Sequence, residues 1–170
     1  MKARLVLAAA LAAIAAAGTA GAAEAQSRNH ASVNQYGYNN EIAGQQRGWA
    51  NRTVITQSGT REYITVIQDG ARNGATLSQG GRNNQAHVDQ LGRDNDAVLG
   101  QRGRSNYGFS LQTGSRNISG ISQMGNHNRA TTSQQGHNNA AGVIQVGTGN
   151  DAELRQRGNG NVTLIIQGDH

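Results

Sequence analysis

The amino-acid sequence predicts an all-β solenoid of 11-residue strand-turn units. Two strands make each 22-residue coil, about six and a half coils stack in all, and no end cap is expected. Three observations predict this class. Glutamine returns every 11 residues without a slip, and asparagine and glycine keep phase with it. The specified positions of each unit are two residues apart, the period of a strand with one buried face. The units are equal in length, so identical residues superpose when strand n lies on strand n+2.

The glutamine column is Gln35, Gln46, Gln57, Gln68, Gln79, Gln90, Gln101, Gln112, Gln123, Gln134, Gln145, Gln156 and Gln167. Six residues before these stand Asn29, Asn40, Asn51, Asn73, Asn84, Asn95, Asn106, Asn117, Asn128, Asn139, Asn150 and Asn161, with Glu62 as the one exception. Two residues after the glutamines stand Gly37, Gly48, Gly59, Gly70, Gly81, Gly92, Gly103, Gly114, Gly125, Gly136, Gly147 and Gly158. Four residues before glutamine the side chain is usually small, but Ile42 and Ile64 depart. Two residues before, it is usually aliphatic, but Gly44, Ser110 and Thr132 depart.

The unit Asn-x-small-x-aliphatic-x-Gln-x-Gly-x-x reads as a strand followed by a turn around the glycine, which tolerates positive φ. Strands are expected at 31–35, 42–46, 53–57 and so on to 163–167. Hairpins would set unlike residues opposite one another, whereas a parallel coil sets Gln on Gln and Asn on Asn. A net amide hydrogen bond is worth about 1 kcal/mol, but an orphaned buried amide costs about 1–3 kcal/mol. One missing glutamine would strand both its neighbours, which accounts for the strict metre. The stack is expected to be roughly 30 Å tall at ~4.8 Å per layer.

Composition agrees with a thin core. Hydrophobic residues are 35% and aromatics 4%, so amide columns must do part of what an oily interior does elsewhere. There is no proline to interrupt a ladder and no cysteine, which excludes disulfides, thiolate metal sites and a cysteine nucleophile.

Residues 1–25 read as a secretory signal peptide: Lys2 and Arg4, an apolar run from Leu5 to Ala17, and the cleavage pattern Ala23-Glu24-Ala25. The run is shorter than the ~20 residues that span a bilayer. Residues 26–28 are then a short N-terminal segment and 29–170 the repeat domain, with no membrane segment after cleavage. The chain from Gln26 onward carries +4, down from +5 for the whole sequence once Lys2, Arg4 and Glu24 are removed.

The pattern runs to Gln167 with no capping segment, so both ends should expose unpaired strand edges. Thr163, Leu164, Ile165 and Ile166 are uncharged and apolar on both faces, the signature of an assembly edge.

The units "QQGHNNAAGVIQ" (134–145) and "QVGTGNDAELRQ" (145–156) resemble the curlin repeat, Gln-x-Gly-x-x-Asn-x-Ala-x-x-x-Gln, and the resemblance covers 29–167. It implies a secreted subunit of curli, the functional amyloid fibres of bacterial cell surfaces and biofilm matrix. It also implies partners: further copies of the chain, a companion curlin subunit, and an outer-membrane secretion pore with accessory factors. The Gln and Asn columns take the ladder role and the glycines the turn role. The Gly-rich targeting stretch that commonly precedes the first curlin repeat has no counterpart between Gln26 and Arg28.

No catalytic constellation is visible. His30, His87, His127, His137 and His170 share no site, and Asp94 and Asp96 have no stacked second pair, so no enzyme activity, cofactor or metal is expected. Calcium β-rolls need a regular turn Asp, and ice-binding solenoids an outer Thr ladder; neither is present. Arg47, Arg61, Arg72, Arg82, Arg93, Arg102, Arg104, Arg116 and Arg157 fall near turns. They solvate the edges or, in the alternative reading of a monomeric solenoid adhesin, grip extracellular DNA or an acidic polysaccharide. Tyr36, Tyr38, Trp49, Tyr63, Tyr107 and Phe109 are too spread along the chain for a stacking track.

Overall fold

The computed structural model describes residues 12–17 and 28–168, and every regular element among them is a strand. β1 is Ala12–Ala17. Thirteen strands follow at the 11-residue period: β2 His30–Tyr38, β3 Glu41–Trp49, β4 Arg52–Thr60, β5 Tyr63–Ala71, β6 Gly74–Arg82, β7 Gln85–Arg93 and β8 Asp96–Arg104, then β9 Tyr107–Ser115, β10 Ile118–Asn126, β11 Arg129–His137, β12 Ala140–Thr148, β13 Asp151–Asn159 and β14 Val162–Gly168.

Successive strands alternate between two parallel seven-stranded sheets. One runs β1-β3-β5-β7-β9-β11-β13 and the other β2-β4-β6-β8-β10-β12-β14. Each rung is thus a strand, a corner, a strand in the facing sheet and a second corner, and like units superpose 22 residues apart. Gln79 lies on Gln101 and Gln101 on Gln123, with no slip in any pairing among β2 to β14. The fold is the predicted solenoid.

From β2 onward the strands send alternate side chains inward. The core is one thin layer in which Ile55, Val66, Leu77, Val88, Leu99, Ile121, Val143 and Leu154 meet the small residues of the facing sheet. Gly108 leaves room for Leu99, whose Cδ1 would lie 3.0 Å from any Cβ added there. The departures from pattern are accommodated locally. Ile42 and Ile64 are fully buried at positions meant for small residues, and in β3 the swap is compensated by Gly44. Ser110, Ser119 and Thr132 join in a buried chain of hydroxyls, Ser110 to Ser119 at 2.8 Å and Ser119 to Thr132 at 2.7 Å, crossing between the sheets.

The corners differ from the sequence expectation. The strands β2 to β13 are nine residues long and run through the glycines, and the tight reversal comes two residues later. The left-handed corner residue is non-glycine at most corners, for example Arg61, Asn83 and His127 with φ of 57°, 58° and 55°. Glycine is required earlier for another reason: φ at Gly125 is +122°, and a Cβ there would sit 2.0 Å from the carbonyl oxygen of Gly147. The column packs backbone on backbone and has no space for a side chain.

β1 is the element that the sequence pattern does not anticipate. It lies within the segment read as a leader and pairs in parallel with the outer edge of β3, Ala16 opposite Gln46.

Candidate functional site: the amide ladders and their open ends

The glutamines form two polar ladders, one per sheet. In each rung Nε2 donates to the Oε1 of the glutamine 22 residues on, as from Gln79 to Gln101 at 2.7 Å and from Gln101 to Gln123 at 2.8 Å. The second Nε2 hydrogen crosses to the facing sheet: Gln101 donates to the Gln85 carbonyl at 2.9 Å and Gln112 to the Asp96 carbonyl at 2.9 Å. Each glutamine therefore ties its rung to the next one and one sheet to the other. Most are fully buried, where a missing partner costs most.

The asparagines occupy the corners. Asn Oδ1 accepts the backbone N–H of the asparagine one coil on, as Asn84 does from Asn106 at 3.0 Å. Asn Nδ2 reaches the carbonyls four residues back and nineteen ahead, as Asn51 does to Arg47 and Gly70. Asparagine suits this place because one short side chain both accepts and donates. Glu62 breaks the column. It is 1% exposed, its Oε1 accepts from Asn84, and its Oε2 has no partner. Burial pushes its carboxyl up to about 7, against the lowering effect of the Asn84 hydrogen bonds.

The ladders have open ends. Among the described residues no strand pairs with the outer edges of β2, β13 or β14. At the β3 end the buried Oε1 of Gln46 accepts nothing, because the residue opposite is Ala16 instead of another glutamine. At the far end Gln167 receives Gln145 Nε2 at 2.8 Å and spends its own Nε2 only on the Asp151 carbonyl. In β14, Leu164 and Ile166 point outward and are exposed, Ile165 packs half-buried on the core, and Thr163 Oγ1 accepts from Gln156.

The outer faces carry what the sequence scatters. Ile118, Met124, Ile144, Val146, Val162, Leu164 and Ile166 gather on one end of the β2–β14 sheet as an exposed apolar patch. On the other sheet His87 stacks on Phe109, ring centres 5.1 Å apart, and the Arg129 guanidinium lies 5.2 Å from the centre of the Tyr107 ring. Tyr63 shares the Tyr107 column two rungs away. Three of the dispersed aromatics therefore do share a corner, because 44 residues of chain amount to two rungs of height. The arginines divide between two edges. Arg72 pairs with Asp94 and holds that carboxyl below its usual range, while Arg82 lies over Arg104.

A family description, the curlin-associated repeat, matches three consecutive stretches of the sequence, 59–92, 92–125 and 125–158. Together these cover more than half of the chain. The chain belongs to the curlin-repeat family. No curated protein and no solved structure gives a significant match. Each curlin-repeat match begins and ends on a ladder glycine, Gly59, Gly92, Gly125 or Gly158, so a match is three strand-corner units long. This curlin-repeat chain is a curli-type subunit in the general sense, and its family and fold are structural rather than enzymatic. The family forms extracellular surface fibres, and self-assembly with other curlin subunits is what it implies for this one. No helix among the described residues is long and apolar enough to cross a membrane.

Proposed function

We propose that this curlin-repeat protein is exported, loses residues 1–25, and polymerises end to end into cross-β fibres of the bacterial surface and biofilm matrix. The observation that carries the reading is the pair of ladders with unpaired strand edges at β13 and β14 and a buried, unused acceptor on Gln46. Unpaired edges of regular sheets template further pairing, and folded proteins otherwise cover them. In this reading the Gln and Asn columns are the structural site, the glycines permit close stacking, and 163–166 is a growing edge. A companion curlin subunit and an outer-membrane pore are the expected partners. The test is direct: micromolar purified chain lacking residues 1–25 turns thioflavin-positive and forms fibres within days. A chain that stays monomeric sinks the proposal.

A second reading, polyanion binding, is favoured by Arg82 lying directly over Arg104 with Arg102 two residues away. Like charges stacked at strand spacing repel unless an anion lies between them. Retention of DNA or acidic polysaccharide that falls steeply with salt, and falls further on Arg82→Ala with Arg104→Ala, is the expected outcome.

A further inference from the structure

We propose that in the polymer β14 of one copy pairs with the β3 edge of the next, so that each copy is turned by half a revolution relative to its neighbour. This rests on the fibre reading above and adds its geometry.

Strands enter the two sheets alternately, and β14 stands in the β2 sheet half a rung beyond β13. The open place beside β14 lies on β13, in the other sheet. If the β2 strand of a second copy fills that place, its β3 falls on β14, and the alternation continues across the junction. The two sheets then exchange roles from one copy to the next. Straight stacking instead puts β2 of the second copy on β14 and leaves a place one strand wide between β13 and the next β3. Every backbone group along that gap would be unpaired.

The side chains favour the half turn. Gln46 Oε1 is buried and orphaned at the β3 edge, and Gln167 has an Nε2 that makes no bond up its ladder. With β14 against β3 in the 22-residue register, Gln167 donates to Gln46 as Gln145 does to Gln167. Asn161 Oδ1 in the same way meets Asn40 of the second copy, as Asn139 Oδ1 meets Asn161. The β3 edge takes a parallel strand in this structure: β1 occupies it, with Ala16 in the place that Gln167 would take.

Paired cysteines test the proposal in a chain that has none of its own. In the half-turn register Ile166 lies beside Gln45 of the next copy; in straight stacking it lies beside Asn34. Adjacent strands about 4.8 Å apart are within disulfide reach. Fibres are grown from the exported chain carrying Gln45→Cys with Ile166→Cys, or Asn34→Cys with Ile166→Cys, and are mildly oxidised. The expected result is intermolecular cross-linking at least tenfold greater in the first variant. Preferential linking through Asn34→Cys, or equal linking in both, overturns the half turn and leaves the fibre reading standing. Fibres from the unmodified chain give an independent reading, a half-turn symmetry with a rise of about 31 Å per copy; fibre images without it overturn the half turn even if the cysteine variants do not assemble. Absence of fibres from the unmodified chain overturns both.

Discussion

Asn84 Nδ2 donates to Glu62 Oε1 at 3.1 Å, and by this bond a carboxyl group takes a place in a buried column otherwise made of amides. Asn40, Asn51 and Asn84 each use Nδ2 on the carbonyls four residues back and nineteen ahead. The counterparts for Glu62 are the Ser58 and Gly81 carbonyls, and an ionised carboxylate has no proton for either.

Protonation therefore stabilises this rung. The Glu62 carboxyl goes from an ordinary 4.5 to about 7 in the fold, so the folded state holds a proton over that window which the unfolded chain has lost. The contribution is fully present below pH 4.5 and is lost as pH rises through 7. Its size is on the order of 3 kcal/mol. Denaturant melts at pH 5 and pH 8 should show the Glu62 contribution as a fall toward pH 8 that Glu62→Asn lacks; the variant keeps the opposite trend of His87, whose ring burial holds below its usual range. A fall toward pH 8 that survives undiminished in Glu62→Asn would assign it to another group.

The ladder makes unequal demands on inward and outward positions. Gln101→Ala leaves Gln79 Nε2 and Gln123 Oε1 without their partners in a buried column. About 2–5 kcal/mol should be lost, with slower assembly. Thr76 is exposed on the neighbouring strand, and Thr76→Ala should stay within about 0.5 kcal/mol. Equal effects in parallel melts would show that the glutamine column carries no special load.

What was legible in the sequence was what repeats. Gln101 and Gln123 superpose because 22 residues of chain make one coil, and any residue bound by that period announces its neighbours. The pairings outside the period were not legible. Ser110, Ser119 and Thr132 are 9 and 13 residues apart along the chain, and only the distance across the core reveals that one hydroxyl answers another. Corner residues such as Arg61 and His127 vary because the backbone alone sets their conformation, so the glycine column drew the turn two residues too early. β1 was hidden because an alanine-rich run reads equally well as a leader.

The hydroxyl chain gives a non-additive prediction. Ser119→Ala leaves Ser110 and Thr132 buried without their shared partner and should cost about 1–3 kcal/mol. Replacing all three with Ser110→Val, Ser119→Ala and Thr132→Val restores the aliphatic pattern of the other rungs and removes every orphan. The triple variant should therefore melt above the single one, a sign of coupling. A triple variant as unstable as the sum of its parts would show the chain to be three independent contacts.

Backbone conformation separates the two kinds of corner position. Gly125→Ala drives a Cβ to 2.0 Å from the Gly147 carbonyl and should cost more than about 3 kcal/mol. Ala50 sits in the left-handed region at φ 56°, where an L-residue is strained by roughly 1–2 kcal/mol. Ala50→Gly relieves that strain at about 0.5–1 kcal/mol of chain entropy, so a small gain in melting temperature is expected. A loss at Ala50→Gly would show that its methyl group packs more than it strains.

Growth should depend on β14. Deleting 163–167 removes the outermost strand of its sheet and uncovers β12, the strand on which it lies. Elongation from preformed seeds should slow several-fold if β14 receives the next copy. Because a deletion also weakens the monomer, Gln167→Glu is the sharper variant. It sits on the last rung, half exposed, so monomer melting should shift by no more than about 1 kcal/mol. At pH 7 its carboxylate offers an acceptor where the buried Gln46 Oε1 of a second copy needs a donor. Seeded thioflavin kinetics should then slow while the melt barely moves, and slow less at pH 4, where the carboxyl regains a proton. Kinetics unchanged in both variants would show that this edge takes no part in growth.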